Sequence, residues 1–190
     1  MVNSIIRHCD KPPQTSSIPL VVQVGAKRAA DASVIAARLA SPIAQNAPDT
    51  GLYLALNTDS LYLCQADSPA MCMRVDFVAG RQGYRLAHSR ARHEIIARAC
   101  GLTGTGGLDI VDATAGLGRD AFLLATLGAR VRMIERSGVV CELLADGMQR
   151  ATAAGLAATL ERLHIIQNDA VEWLGGITAS EKPDVVYLDP

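Results

Sequence analysis

From residue 107 onward, short apolar runs alternate with stretches in which apolar residues recur every third or fourth position. "LDIVDA", "RVRMIE", "RLHIIQ" and "PDVVYLD" predict strands. Between them, "RDAFLLATLG", "VVCELLADGMQRATAAG" and "AVEWLGGI" predict helices, the first two stopped at Gly128 and Gly155. Apolar strands separated by helices predict a parallel sheet with right-handed crossovers. Val185, Val186 and Leu188 read as part of a buried strand.

The first hundred residues have another rhythm. "SIPLVVQVG" predicts a strand ending at Gly25. "DASVIAARLASPIA" predicts a helix carrying Val34, Ile35, Leu39 and Ile43 on one face, with Asp31 or Ser33 as its cap. "GLYLALNTDSLYLCQAD" predicts a hairpin turning at residues 57–60, "MCMRVDFVAG" alternates, and "SRARHEIIARACG" predicts a helix closed by Gly101. The expected organisation is a small α+β unit over residues 1–80, a basic connecting helix region over 81–106, and an α/β domain over 107–190.

Composition narrows the class. Apolar residues make up 49% of the 190 residues and charged residues 19%, which predicts a globular chain. No run of about 18 apolar residues suggests a membrane helix, and the polar N-terminus does not read as a signal peptide. A cytoplasmic location is expected. The 5 cysteines, scattered and without a C-x-x-C pair, predict reduced and mostly buried thiols, with neither a disulfide frame nor a metal site.

The net charge of −1 conceals a basic window over residues 74–98. Arg74, Arg81, Arg85, Arg90, Arg92 and Arg98 face only Asp76 and Glu94, six positive charges against two. Such a window reads either as a solvated helix face or as a phosphate-facing patch, for which the planar guanidinium fork is suited.

In an open parallel sheet the ligand lies at the carboxyl ends of the strands. There the first strand offers Asp112 and then "TAGLGRDA", whose Gly116 and Gly118 predict a tight turn and a close approach of ligand to backbone. With Ala121 the spacing also satisfies the dinucleotide fingerprint G-x-G-x-x-[GA]. Asp112 argues against a pyrophosphate and for a cationic ligand. Glu135, at the end of the second strand, suits the two hydroxyls of an adenosine ribose. Asp169, after the third, suits the adenine amino group or caps the next helix. Asp189-Pro190, after the fourth, suits methylation of an exocyclic amine, whose delocalised lone pair needs acceptors for its N–H groups.

"VDATAGLGRDAF", "RVRMIER" and "VVYLDP" together resemble the ribosomal RNA small subunit methyltransferase J family of bacteria, densely from residue 74 onward. The resemblance implies a class I (Rossmann-like) methyltransferase core behind a small α+β unit. It implies methyl transfer from S-adenosylmethionine to the N2 amine of a guanine in 16S ribosomal RNA, free or in the small-subunit particle. Arg119-Asp120, Glu135-Arg136, Asp169-Ala170 and Asp189 match the cofactor-contacting positions of that family. Relatives carry a glycine-rich basic stretch where this chain has "VAGRQGYRLAHSRARHEIIARACG", and small hydroxyl residues often replace Asp169-Ala170.

The expected cofactor site is therefore Asp112, Gly116, Gly118, Arg119, Asp120, Glu135, Arg136, Asp169, Ala170 and Asp189. Asp189 and Pro190 are the expected catalytic pair, with Arg85, Arg90 and Arg92 toward RNA. Relatives continue past the aspartate-proline, so the chain is expected to be the N-terminal part of a longer enzyme, truncated after its fourth core strand and with little turnover by itself. A nicotinamide-dependent oxidoreductase and a non-catalytic RNA-binding module are the alternatives.

Overall fold

The computed structural model describes residues 6–8, 18–22, 29–68, 70–78, 90–102 and 107–189. Two compact units emerge: Asp10–Val75, and Asp76–Pro190 together with Met1–Cys9. The first strand, β1 (Ile6–His8), belongs to the second of these and not to the small unit expected over residues 1–80.

The small unit comprises β2 (Leu20–Val22), α1 (Ala29–Leu39), β3 (Ile43–Ala44), β4 (Leu52–Leu56), β5 (Leu61–Gln65) and β6 (Cys72–Met73). Its sheet order is β3-β2-β4-β5-β6. Ile35 and Leu39 of the helix are buried, as are Leu54, Leu56 and Leu61 of the sheet. The hairpin forms where it was expected: Asn57 Oδ1 accepts from the amides of Asp59 (3.1 Å) and Ser60 (2.8 Å).

Three expectations in this unit are corrected. The helix stops at Leu39, because Ala40 turns to φ 48 and Pro42 cannot continue it, so Ile43 enters a strand paired with β2. Asp31 lies in the first helical turn and Ser33 inside the helix, so neither caps it. The cysteine expectation fails too. Cys64 and Cys72 are direct partners across β5 and β6, with Cα atoms 4.1 Å apart, and form a disulfide. Linear spacing does not reveal that two antiparallel strands set them face to face. Cys100 and Cys141 are free and buried.

The larger unit continues with α2 (Arg90–Ala99), β7 (Asp109–Asp112), α3 (Arg119–Thr126), β8 (Arg130–Glu135) and α4 (Gly138–Ala151). After a π-turn at Thr152–Leu156 come α5 (Ala157–Leu160), β9 (Leu163–Gln167), α6 (Ala170–Gly176) and β10 (Val185–Tyr187). Helix α2 closes as predicted, with Gly101 at φ 73 and the Leu102 amide reaching the Ala97 carbonyl at 2.7 Å.

All five strands pair in parallel in the order β1-β9-β8-β7-β10. The sheet thus has one strand more than the sequence pattern predicts, since β1 adds beside β9. On one face Leu143 and Leu144 of α4 and Leu124 of α3 are fully buried with Ile110, Met133 and Ile165 of the strands. On the other, Ala170, Trp173 and Leu174 of α6 pack on Val111, Ala113, Ile134 and Ile166.

Val186 and Leu188 are not buried, at 44% and 64% exposure. Among the described residues β10 has one neighbour, β7, and Val186 stands in register with Val111 at the sheet's margin. A strand that is covered on one side only keeps part of its apolar surface in water.

Candidate functional site

The chain runs outward from β7 through β8 to β9, then returns to place β10 on the other flank of β7. That reversal opens a crevice at the carboxyl ends of β7 and β10, the position where open α/β sheets bind ligands. Asp112 ends β7, and its register partners are Met133 of β8 and Tyr187 of β10.

Three strand-end carboxylates share one local device. Asp112 Oδ1 accepts from the Thr114 amide at 3.1 Å, Glu135 Oε1 from the Ser137 amide at 2.7 Å, and Asp169 Oδ1 from the Val171 amide at 2.9 Å. Each acid grips the backbone two residues ahead with one oxygen. The second oxygen of each has no hydrogen-bond partner among the described residues and remains available as an acceptor. Asp169 also accepts from Glu172 at 3.3 Å and is the N-cap of α6, so its capping role is real and leaves its other oxygen unspent.

Asp120 stands in the first turn of α3, where the Tyr187 hydroxyl donates to its Oδ2 at 3.0 Å. The Asp189 amide donates to the Thr114 hydroxyl oxygen at 2.9 Å. Side chains thereby join β10 to the first turn of α3 and the segment after β10 to the loop after β7. The Ala113 amide adds a backbone bond to the Tyr187 carbonyl at 3.0 Å. Sequence reading missed Thr114 and Tyr187. Each lies inside a quoted motif, two residues from a singled-out acid, but neither is a chemical group that draws notice alone.

The two glycines play different parts. Both have positive φ, 48 at Gly116 and 70 at Gly118. A Cβ at Gly116 would meet little, its nearest neighbour being the Thr114 carbonyl oxygen at 3.8 Å. A Cβ at Gly118 would lie 2.8 Å from Leu144 Cδ2 and 3.3 Å from Met133 Sδ. Core packing and the left-handed turn therefore account for Gly118, whereas Gly116 is the position with open space beside its Cα.

The charge at the crevice is strongly negative. Asp112 is 2% exposed, and its carboxyl is pushed up to about 6. Burial is the main cause; the Thr114 amide opposes it, and the nearby charges of Asp120, Asp189 and Glu135 add to it. The Tyr187 hydroxyl is also held well above the ordinary phenol range, by burial and by its bond to Asp120. Arg119 and Arg136 are exposed beside these acids, and Ala170 is partly buried at the start of α6. Helix α2 contains Arg90 and Arg92, while Arg85 and Pro190 lie outside the described residues. Arg74 belongs to the small unit, where it donates to Ser60 and Tyr62 at 3.0 Å each.

A parallel sheet with this reversal, bearing acids at its strand ends, defines an α/β protein of the Rossmann-like methyltransferase class. The family described as "putative SAM-dependent methyltransferase" matches residues 17–190. A crystal structure of a SAM-dependent methyltransferase from Neisseria gonorrhoeae matches with a TM-score of 0.77 and 32% identity, over 90% of this chain and 69% of that one. Three curated relatives carry the name ribosomal RNA small subunit methyltransferase J. The Thioalkalivibrio sulfidiphilus protein is 45% identical over 84% of this chain and 63% of its own length. For Alkalilimnicola ehrlichii the figures are 47%, 85% and 61%, and for Edwardsiella ictaluri 42%, 89% and 68%. The chain belongs to the ribosomal RNA small subunit methyltransferase J family, and it spans about three fifths of the length of the first two relatives.

S-adenosylmethionine (SAM) is the cofactor of this family, and the crevice fits it. Its ammonium and sulfonium groups are cations, and the buried Asp112, its carboxyl raised by burial and by the charges of Asp120, Asp189 and Glu135, is a group that a cation would stabilise in its charged form. A pyrophosphate would meet the same acids unfavourably.

Proposed function

We propose that the protein transfers a methyl group from SAM to the exocyclic N2 amine of a guanine in small-subunit ribosomal RNA, free or within the particle, in the cytoplasm. The observation that carries this reading is the gathering of carboxylates at the ends of β7, β8 and β10, with Asp112 buried among Asp120, Glu135 and Asp189. The names carried by the relatives support the choice of ribosomal RNA. No helix among the described residues is long and apolar enough to cross a membrane.

When bound, SAM supplies an electrophilic methyl on a positively charged sulfur. The chain's own residues bind and orient. Glu135 accepts from the ribose hydroxyls through the oxygen that Ser137 leaves unspent. Asp169 accepts from the adenine edge while capping α6. Asp112 and Asp120 balance positive charge next to the glycine loop, with Gly116 admitting the ligand to the backbone. Arg119, Arg136 and Ala170 border that site.

Asp189 accepts a hydrogen bond from one N–H of the guanine amine and the carbonyl of Pro190 from the other, drawing the nitrogen lone pair out of conjugation with the ring. As the N–C bond forms and the S–C bond breaks, the neutral thioether leaves and the nitrogen's surplus proton passes to the Asp189 carboxylate. Proline has no N–H to compete for these acceptors. The target guanine must leave its stack to reach them. Arg85, Arg90 and Arg92 neutralise phosphates of the RNA.

The direct test supplies the intact enzyme with methyl-labelled SAM and either 16S ribosomal RNA or small-subunit particles, followed by nucleoside mass spectrometry. Label in N2-methylguanosine is expected. Label in another nucleoside, or binding of NAD in place of SAM by calorimetry, refutes the reading.

A further inference from the structure

We infer that Thr114 is a positioning residue for methyl transfer, setting Asp189 at the distance from the cofactor loop that the reaction needs; this rests on the function proposed above. Strand β10 ends at Tyr187, and its last ladder bond to β7 is the one from the Ala113 amide to the Tyr187 carbonyl. Leu188 and Asp189 lie beyond the ladder and are exposed, Leu188 at 64%. Pro190 then offers no amide of its own. The backbone of Asp189 is thus tied to β7 by one bond among the described residues, from its amide to the Thr114 hydroxyl at 2.9 Å.

Thr114 is itself held. Its amide donates to Asp112 Oδ1 at 3.1 Å, so the residue that fixes Asp189 is clamped to the buried acid of the cofactor loop. The path Asp112, Thr114, Asp189 runs across 77 positions of sequence in two hydrogen bonds. It couples the side that holds the methyl donor to the side that holds the acceptor. In-line transfer tolerates little error, since a shift of about 1 Å in a reacting group costs on the order of 100-fold in rate. A side chain that removes one degree of freedom from Asp189 therefore acts on turnover more than on cofactor affinity.

The test compares Thr114→Val, which keeps the branched shape but loses the oxygen, with Thr114→Ser, which keeps the oxygen. The first readout is amide hydrogen exchange at Asp189 by NMR, which needs no turnover. In Thr114→Val it should rise at least about 10-fold, as for the loss of one hydrogen bond, while Ile110 and Val111 keep their protection. In the intact enzyme, kcat should fall roughly 10-fold with the SAM dissociation constant within about 2-fold of wild type. Thr114→Ser should restore both.

A Thr114→Val enzyme with wild-type kcat overturns the inference, as does unchanged Asp189 exchange. Equal losses in SAM affinity and kcat would overturn it as well, because they would make Thr114 a part of the cofactor loop's stability. If wild type methylates no guanine, the proposed function falls by itself, and Asp189 exchange still decides whether Thr114 holds that residue.

Discussion

The hydroxyl of Tyr187 donates to Asp120 Oδ2 at 3.0 Å, joining residues 67 positions apart. One stands on the last strand, the other in the first turn of the helix that follows the glycine loop. With the Thr114–Asp189 bond, this contact makes the ends of β7 and β10 a single unit. Changes at either end should therefore be read through the other.

Asp189 is the acceptor nearest the proposed reaction. In the intact enzyme, Asp189→Ala should cut the single-turnover methyl-transfer rate by at least about 100-fold, the usual scale for a positioned catalytic group. A near-normal rate would reduce Asp189 to a residue that follows the strand and nothing more.

Asp112 should make stability depend on pH. Its carboxyl is raised from 3.8 to about 6, so the folded chain keeps a proton that the unfolded chain has lost. The resulting stabilisation is complete below the unfolded pKa and disappears as pH rises through the folded one, in total about 3 kcal/mol. Urea unfolding between pH 4.5 and 7 should show wild type losing roughly 2 kcal/mol more than Asp112→Asn. Parallel curves would mean that Asp112 is not buried in this way. Because a bound cation favours the ionised carboxylate, SAM affinity should also weaken as pH falls below about 6.

Glu135 has one oxygen committed to Ser137 and one to offer. Glu135→Ala should weaken SAM binding by about 1.5–3 kcal/mol, the range for hydrogen bonds to a charged acceptor. Calorimetry on the folded variant gives the answer, and an unchanged dissociation constant would remove Glu135 from the site.

The glycines should separate by stability. Gly118→Ala adds a Cβ 2.8 Å from Leu144 Cδ2 at a φ of 70, and should cost about 2–4 kcal/mol. Gly116→Ala meets open space and should cost about 1–2 kcal/mol, from its left-handed backbone alone. Equal costs by chemical denaturation would show that packing against Leu144 does not set the requirement.

For the arginines, the readout is salt. Neutralising Arg85, Arg90 and Arg92 together should weaken RNA binding and flatten its dependence on salt concentration, leaving SAM affinity unchanged. A salt slope that survives all three changes would make the segment an ordinary solvated surface.

Local pattern carried much of this protein. The alternation of apolar runs and helical spacing was enough for β7 to β10 and their helices, because each element's periodicity is written within its own few residues. The hairpin at Asn57 and the stop at Gly101 were legible for the same reason: turn chemistry acts over two to four positions. The strand-end acids could be named because a strand's end is visible in sequence and its location in such sheets is general.

Long-range register was decided only in three dimensions. No local pattern signals that Ile6–His8 adds a fifth strand beside β9, or that Cys64 faces Cys72. The placement of β10 against β7 brings Thr114 to Asp189 and Tyr187 to Asp120, and with them the buried charge that raises Asp112. That Gly118 also packs its Cα side against Leu144 and Met133 follows from the fold and not from its place in the glycine loop. Sequence spacing records which groups are present, whereas burial, pairing and field depend on which distant groups the folded chain sets within a few ångströms of one another.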